Sequence, residues 1–255
     1  MFTAVIPARF ASQRLPGKPL REIAGKPMVQ WVHERAVASG ARRVWIATDD
    51  PRIEAACRAF GANVQTTSPD HASGTDRIAE VARVQEWAPS DIVVNVQGDE
   101  PVLPPALIRQ VAQLLESSPA AGVATLATPI RASEELLDPN VVKVVIGGQG
   151  LALYFSRAPI PWHRDGADDR GPTRFDGALR HLGLYAYRVD ALEKLARLKP
   201  TVLERTEKLE QLRALENGIG IAVGIASELP GPGVDTEEDL RAVEEILLRK
   251  SAALT

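Results

Sequence analysis

Through the first half of the chain, short apolar runs alternate with amphipathic segments, and this limits the fold more than any other feature. Phe2 to Ile6, Arg43 to Thr48, Ala62 to Thr66 and Asp91 to Val96 read as strands. Between them lie helical stretches: Pro27 to Ser39, ended by Gly40; Asp50-Pro51 onward, with Asp50 as N-cap, stopping before Gly61; and Ser73 or Thr75 to about Trp87. A further helix follows Pro104-Pro105. Strands that are apolar on both faces and alternate with helices make a mostly parallel, doubly wound sheet. Ligands of such sheets bind at the carboxyl ends of the strands, near the point where strand order reverses. The segments to search are therefore Pro7 to Pro19, Thr67 to Arg77 and Gln97 to Pro101.

The second half is less regular. Val141 to Ile146 and Leu151 to Phe155 read as a hairpin. Trp162 to Asp176, rich in charge and glycine, reads as a mobile loop. His181 to Arg188 and Ile219 to Ile225 read as strands, Thr201 to Asn217 as one long helix ended by Gly218, and Asp235 to Lys250 as a final helix. No repeat or low-complexity linker divides the 255 residues, so a single domain, 1–255, is expected.

A net charge of −3 leaves no global positive field for nucleic acid, so an anionic substrate needs a local cationic cluster. The single cysteine, Cys57, excludes an intrachain disulfide and a multi-cysteine zinc site and reads as core filler. No apolar run reaches membrane-spanning length, and the first residues do not form a signal peptide, which predicts a cytoplasmic protein.

Arg9, Arg14 and Lys18 follow the first strand, with Gly17 and two prolines among them. A triphosphate, carrying about four negative charges, needs fixed cations and close-approaching backbone N–H groups, and this turn offers both. The turn is neither G-x-x-x-x-G-K-[ST] nor G-x-G-x-x-G, which removes the main support for the usual ATPase and dinucleotide readings. Asp99, after Gly98 at the end of the most apolar strand, is placed to ligate a hard cation such as Mg2+, which takes one or two protein carboxylates. Asp235 is the second candidate. Its alternative role is N-cap of the last helix, with Glu238 completing a capping box. Glu237, Glu238 and Asp239 read as surface acids favoured by the helix dipole.

These stretches resemble the 3-deoxy-manno-octulosonate (Kdo) cytidylyltransferases, or CMP-Kdo synthetases. The matching segments are VIPARFASQRLPGKPL from Val5, DHASGTDRIAEV from Asp70, VNVQGDEP from Val94, YFSRAPIPW from Tyr154, HLGLYAYR from His181, EKLEQLRALENG from Glu207 and VDTEEDL from Val234. The first and third are shared in kind with other sugar nucleotidyltransferases; the later ones are more specific. The chain departs from the pattern at Asp76, where Glu is expected, and at Thr67-Ser68-Pro69.

The resemblance implies an α/β nucleotide-diphospho-sugar transferase fold with a smaller, irregular α+β part at about 130–215 for sugar binding and dimerisation. It implies CTP and Kdo as substrates, Mg2+ as cofactor, a homodimer, and a place in lipopolysaccharide biosynthesis. Arg9, Ser12, Arg14 and Lys18 would hold the CTP phosphates, and Ser73, Gly74, Arg77 and Gln97 the cytidine side. Asp99 and Asp235 would hold the metal. Arg157, His181, Tyr185, Glu210 and Gln211 would hold the sugar acid. His181 and Tyr185, four apart on one strand, share a face. The alternative substrates are 8-amino-Kdo and a sialic acid.

Overall fold

The computed structural model of the protein describes residues 1–11, 15–71, 73–168 and 171–252. The first half follows the alternation closely: β1 Phe2–Ala8, β2 Glu22–Ile23, β3 Lys26–Pro27, α1 Met28–Ala38, β4 Arg43–Thr48, α2 Pro51–Ala59, β5 Asn63–Thr66, α3 Gly74–Val84, β6 Ile92–Asn95 and α4 Pro105–Glu116. The second half comprises β7 Val123–Pro129, α5 Ser133–Leu137, β8 Lys143–Ile146, β9 Ala152–Ser156, β10 Ala167–Asp168, β11 Gly171–Pro172, β12 Leu179–Arg188, α6 Val189–Arg197, α7 Val202–Glu207, α8 Gln211–Glu216, β13 Ile221–Ile225 and α9 Glu237–Ala252.

The main sheet runs β13-β7-β12-β6-β1-β4-β5, with the β8–β9 hairpin joined to the start of β12. On that path every pairing is parallel except those of β12, which runs antiparallel to both β6 and β7. The chain winds outward from β1 to β4 and β5, then returns to place β6 on the other side of β1. The strand order reverses between β1 and β6, so the loops after these two strands line the crevice where ligands of such sheets bind.

Side chains alternate across the sheet and build two cores. Ala4, Ile6, Val94 and Val96 pack against Val29 and Val32 of α1, Ile53 and Cys57 of α2, and Leu107, Ile108 and Val111 of α4. Val5 and Val93 meet Ile78 and Val81 of α3, Leu192 of α6 and Leu212 of α8 on the opposite face. A third cluster ties α9, through Val243 and Leu247, to Leu15, Ile23, Met28, Val102 and Val234. It anchors the last helix beside the loop that follows β1.

The structure corrects several expectations. Thr201 to Asn217 is not one helix: Lys208 adopts a left-handed conformation, φ 56°, between α7 and α8. Tertiary contacts hold this break. Glu207 accepts hydrogen bonds from Ser156 Oγ at 2.7 Å and from the backbone N–H of Arg157 at 2.9 Å, pulling the end of α7 onto the hairpin. Leu209 is then buried in the core. The segment Trp162 to Asp176, read as a loop, contains the two-stranded ribbon of β10 and β11. Strand β7 and helix α6 were not read from the sequence at all.

Strand β12 contains a bulge between Leu182 and Tyr185 opposite β7. Thr125 of β7 pins it: its hydroxyl lies 2.8 Å from Leu184 O, 3.0 Å from Leu182 O and 3.0 Å from His181 Nε2. With the hydroxyl proton given to a carbonyl, His181 Nε2 must carry the hydrogen and donate, leaving Nδ1 as the acceptor. Two extra residues preserve the alternation, so His181 and Tyr185 do share a face, with ring centroids 5.3 Å apart. Phe155 meets the His181 ring edge-on at 5.0 Å.

Burial lowers the His181 ring from 6.5 to about 3. Between those values the unfolded chain binds the extra proton and the folded one does not, so stability rises with pH. The contribution is complete above about pH 6.5 and is lost as pH falls toward 3, with a slope of at most about 1.4 kcal/mol per pH unit. Urea unfolding of His181→Gln between pH 6.5 and 4.5 is expected to show a shallower loss of stability than the unaltered protein. An identical slope would show that the ring does not stay neutral on folding.

Candidate functional site

The loops after β1 and β6 approach each other at the reversal point. Gly98 makes this possible, because a Cβ there would lie 2.8 Å from Pro7 O. Gly17, at φ 67°, turns the chain into the short 3-10 helix Lys18–Leu20, and its N–H closes the loop on Phe10 O at 3.2 Å. The Lys18 ammonium then lies 2.9 Å from Asp99 Oδ2 and 3.0 Å from Asp235 Oδ1. Its side chain is 12% exposed, while the two carboxylates are 41% and 48% exposed. The two acids thus converge on one cation and remain open to solvent.

Asp235 reaches this point through a main-chain hydrogen bond, Val234 N to Asp99 O at 2.8 Å. Its alternative role as helix cap is corrected by the structure. Thr236 and Asp239 form the reciprocal cap: Thr236 N donates to Asp239 Oδ2 at 2.9 Å, and Asp239 N to Thr236 Oγ1 at 3.2 Å. Asp235 N also donates to Asp239 Oδ2, at 3.0 Å. Glu238 has no part in the cap, and Asp239 is the capping acid rather than a mere surface charge. Glu237 pairs with Arg21 at 2.9 Å.

Among the described residues no group of three or more His, Cys, Asp or Glu side chains is arranged for a metal. Two half-exposed carboxylates fit a cation that takes its other ligands from phosphate and water, as Mg2+ does, and do not fit a closed structural site. Glu100, adjacent to Asp99, does not join them. It lines a separate groove of about 870 Å3, and burial together with the Asp99 charge pushes it up to about 7.

Arg9, Lys18, Ser73, Gly74, Gln97 and Asp99 line one cavity of about 420 Å3. Arg9 donates to the carbonyls of His71 and Ser73, the latter at 3.5 Å, which ties the first loop to the start of α3. Ser73 caps that helix, and its hydroxyl, backbone N–H and Asp76 form a capping box. Asp76, where Glu is expected, does this work. Ser73 and Gly74, at the start of α3, line the cavity. Ser12 and Arg14 lie outside the described residues.

Arg77 is placed elsewhere. It is fully buried, paired with Asp49 at 3.1 Å and donating to Thr67 Oγ1, and it does not line the cavity. Its position in the DRIAEV stretch is explained by packing between α3 and the loop after β4.

A second cavity of about 290 Å3 adjoins the first at Gly74, Gln97 and Glu210. Tyr185, Glu210 and Gln211 line it, together with Thr75, Asn95, Tyr187 and Lys208, none of which the sequence reading singled out. Thr75 Oγ1 donates to Glu210 Oε2 at 3.3 Å, and burial raises the Glu210 carboxyl above its usual range. The Tyr185 and Tyr187 rings stack at 5.9 Å, and burial raises both phenols, keeping them protonated. Lys208, the residue at the left-handed break, is the one cation among the described residues lining this cavity. The period-2 pattern of HLGLYAYR held the signal for Tyr187; the placement of Asn95, Thr75 and Lys208 depends on tertiary packing.

Two of the expected sugar-side residues lie outside this cavity. The Arg157 guanidinium donates to Glu207 O at 2.7 Å and Pro139 O at 2.8 Å. His181 stands behind Tyr185 and lines the groove that also contains Glu100.

The cytidylyltransferase family model matches residues 3–223 of this chain. The 3-deoxy-manno-octulosonate cytidylyltransferase of Halorhodospira halophila is 57% identical over 244 residues, covering 95% of each chain. That of Vibrio vulnificus strain CMCP6 is 54% identical over 251 residues, covering 98% of this chain and 99% of its own. A solved structure of CMP:2-keto-3-deoxy-manno-octonic acid synthetase complexed with CTP superposes with a TM-score of 0.88 at 43% identity, covering 98% of this chain and all of that one. Sheet order, site geometry and relatedness over nearly the whole length agree, and the chain belongs to the cytidylyltransferase family, among relatives named for 3-deoxy-manno-octulosonate.

Proposed function

We propose that this protein joins CMP, taken from CTP, to 3-deoxy-D-manno-octulosonate, releasing pyrophosphate. The observation that carries the reading is the convergence of Asp99 and Asp235 on Lys18 beside a cavity that also holds Arg9 and the start of α3. The anomeric 2-hydroxyl of the sugar acid attacks the α-phosphorus, and pyrophosphate leaves in line. Such a reaction needs positioning and charge stabilisation, with no covalent enzyme intermediate.

Asp99 and Asp235 would hold Mg2+. When bound there, a divalent ion lowers the pKa of a hydroxyl and offsets the α-phosphate charge. Arg9 and Lys18 offset negative charge on the departing pyrophosphate, as fixed cations do without reorganising. Gly74, Gln97 and Glu210 are common to both cavities, and Gly74 and Gln97 would border the α-phosphate where the two substrates meet. Tyr185, Glu210 and Gln211 offer hydrogen-bonding groups to the sugar, and Lys208 offers a positive charge to its carboxylate.

The product would supply an activated sugar acid for lipopolysaccharide assembly in the cytoplasm. No helix among the described residues is long and apolar enough to cross a membrane. The exposed apolar side chains of Leu137, Leu153, Trp162 and Val202 support a homodimer formed through the 130–215 region, which is also the region that holds Tyr185, Glu210 and Gln211.

The test is pyrophosphate release with CTP, ATP, GTP and UTP, each with Kdo, 8-amino-Kdo and a sialic acid. CTP with Kdo is expected to give the highest kcat/KM, and release only with another sugar acid would replace Kdo as substrate. Asp99→Asn and Asp235→Asn should each lower turnover at least about 100-fold while the circular dichroism spectrum is retained. Near-normal turnover in either variant would refute the metal assignment.

A further inference from the structure

Asn95 is the last residue of β6, opposite Val5 of β1 and Tyr185 of β12. It continues a run of three apolar residues, Ile92, Val93 and Val94, and alternation puts its side chain on the face of Val93, toward α3 and α8. The residue is 4% exposed, and its Oδ1 is buried with no hydrogen-bond partner in the protein. It also lines the smaller cavity, with Thr75, Tyr185, Tyr187, Glu210 and Gln211 around it.

Few buried polar atoms among the described residues are left this way. The others are Trp45 Nε1, Asp49 Oδ1, two guanidinium nitrogens of Arg77, and Thr201 Oγ1. None of those residues lines either cavity of the site, and Arg77 and Asp49 face each other as an ion pair. Asn95 alone combines an unmatched polar group with a cavity wall. A buried amide that lacks its partner costs stability, and Val at this position would suit the core as it does at Val93 and Val94. The group that would repay it is one brought by a ligand.

We propose that the Asn95 amide is a specificity-determining contact for the sugar acid, hydrogen-bonding a hydroxyl of its polyol at the floor of the smaller cavity. This rests on the reading of that cavity as the sugar-acid side of a cytidylyltransferase. A site built to hydrogen-bond a hydroxyl discriminates steeply, because a substrate lacking the group leaves the buried amide unmatched. The position is deep in the sheet, while the charged residues lining the cavity, Lys208 and Glu210, come from the break between α7 and α8. Asn95 would therefore read the shape and hydroxyl pattern of the sugar rather than its charge.

The test uses the full chain, Asn95→Val and Asn95→Asp, with Kdo and CTP each varied while the other is saturating. Asn95→Val should raise KM for Kdo about tenfold or more and leave KM for CTP within about twofold. Its melting temperature without substrates should equal or exceed that of the unaltered protein, because the unmatched group is gone. Asn95→Asp, nearly the same size, should raise KM for Kdo further, since it sets a carboxylate against an anionic substrate. An unchanged KM for Kdo in either variant, or a rise in KM for CTP of equal size, would overturn the proposal. A lowered melting temperature in Asn95→Val with unchanged KM would mark the residue as purely structural. Pyrophosphate release by the unaltered protein tests the underlying reading separately: its absence would overturn both, whereas its presence with unaffected variants would overturn only the role of Asn95.

Discussion

Two carboxylates brought from distant parts of the chain face one ammonium group, and the site is organised around that contact. Asp99 and Asp235 each lie within 3.0 Å of Lys18 Nζ. Like charges so close oppose one another, and the half-buried setting strengthens the repulsion. A cation between them removes the conflict. Lys18 is the more buried partner, so the site keeps its positive charge inside and turns its carboxylates outward. Under the proposed function, Asp99 and Asp235 would hold a divalent ion and Lys18 would offset charge on the phosphates.

The rest of the fold supplies the positions. The reversal of strand order puts the loops after β1 and β6 side by side, and Gly98 lets them touch. The third core cluster fixes α9 beside them, and the Val234–Asp99 main-chain bond sets the approach of Asp235. Beside the smaller cavity, β12 runs against its neighbours, and its bulge, held by Thr125, aligns His181 with Tyr185. The break at Lys208 turns what could have been a solvated helix into two short ones, placing Glu210 and Gln211 on a cavity wall. Left-handed backbone at a non-glycine residue is unfavourable locally, and here the hairpin's hold on Glu207 maintains it.

Local signals made the parallel half of the sheet legible. Asp50 caps α2 and Ser73 caps α3 as their residue types predict, because a cap depends on atoms within four residues of one another. The acid pair was legible as candidates, since Asp99 follows a buried strand and Asp235 lies just before a helix. Tertiary choices were not legible. An arginine in a motif reads the same whether it meets a ligand or a buried Asp49, and Arg77 does the latter. Thr236 and Asp235 are equally able to cap, and only the Lys18 contact separates their roles. The break in 201–217 carries no glycine or proline to announce it. Asn95 looked like one polar letter in a strand, and its meaning appears only with the cavity beside it.

The most direct measurement of the central claim is the thermal unfolding of Lys18→Met with and without millimolar Mg2+, beside the same variant carrying Asp99→Asn. If Lys18 holds the place of a divalent ion between the two acids, Lys18→Met loses stability in chelator. It then regains several degrees on adding Mg2+, and Asp99→Asn removes that response. A melting temperature of Lys18→Met that is indifferent to Mg2+ would contradict the account.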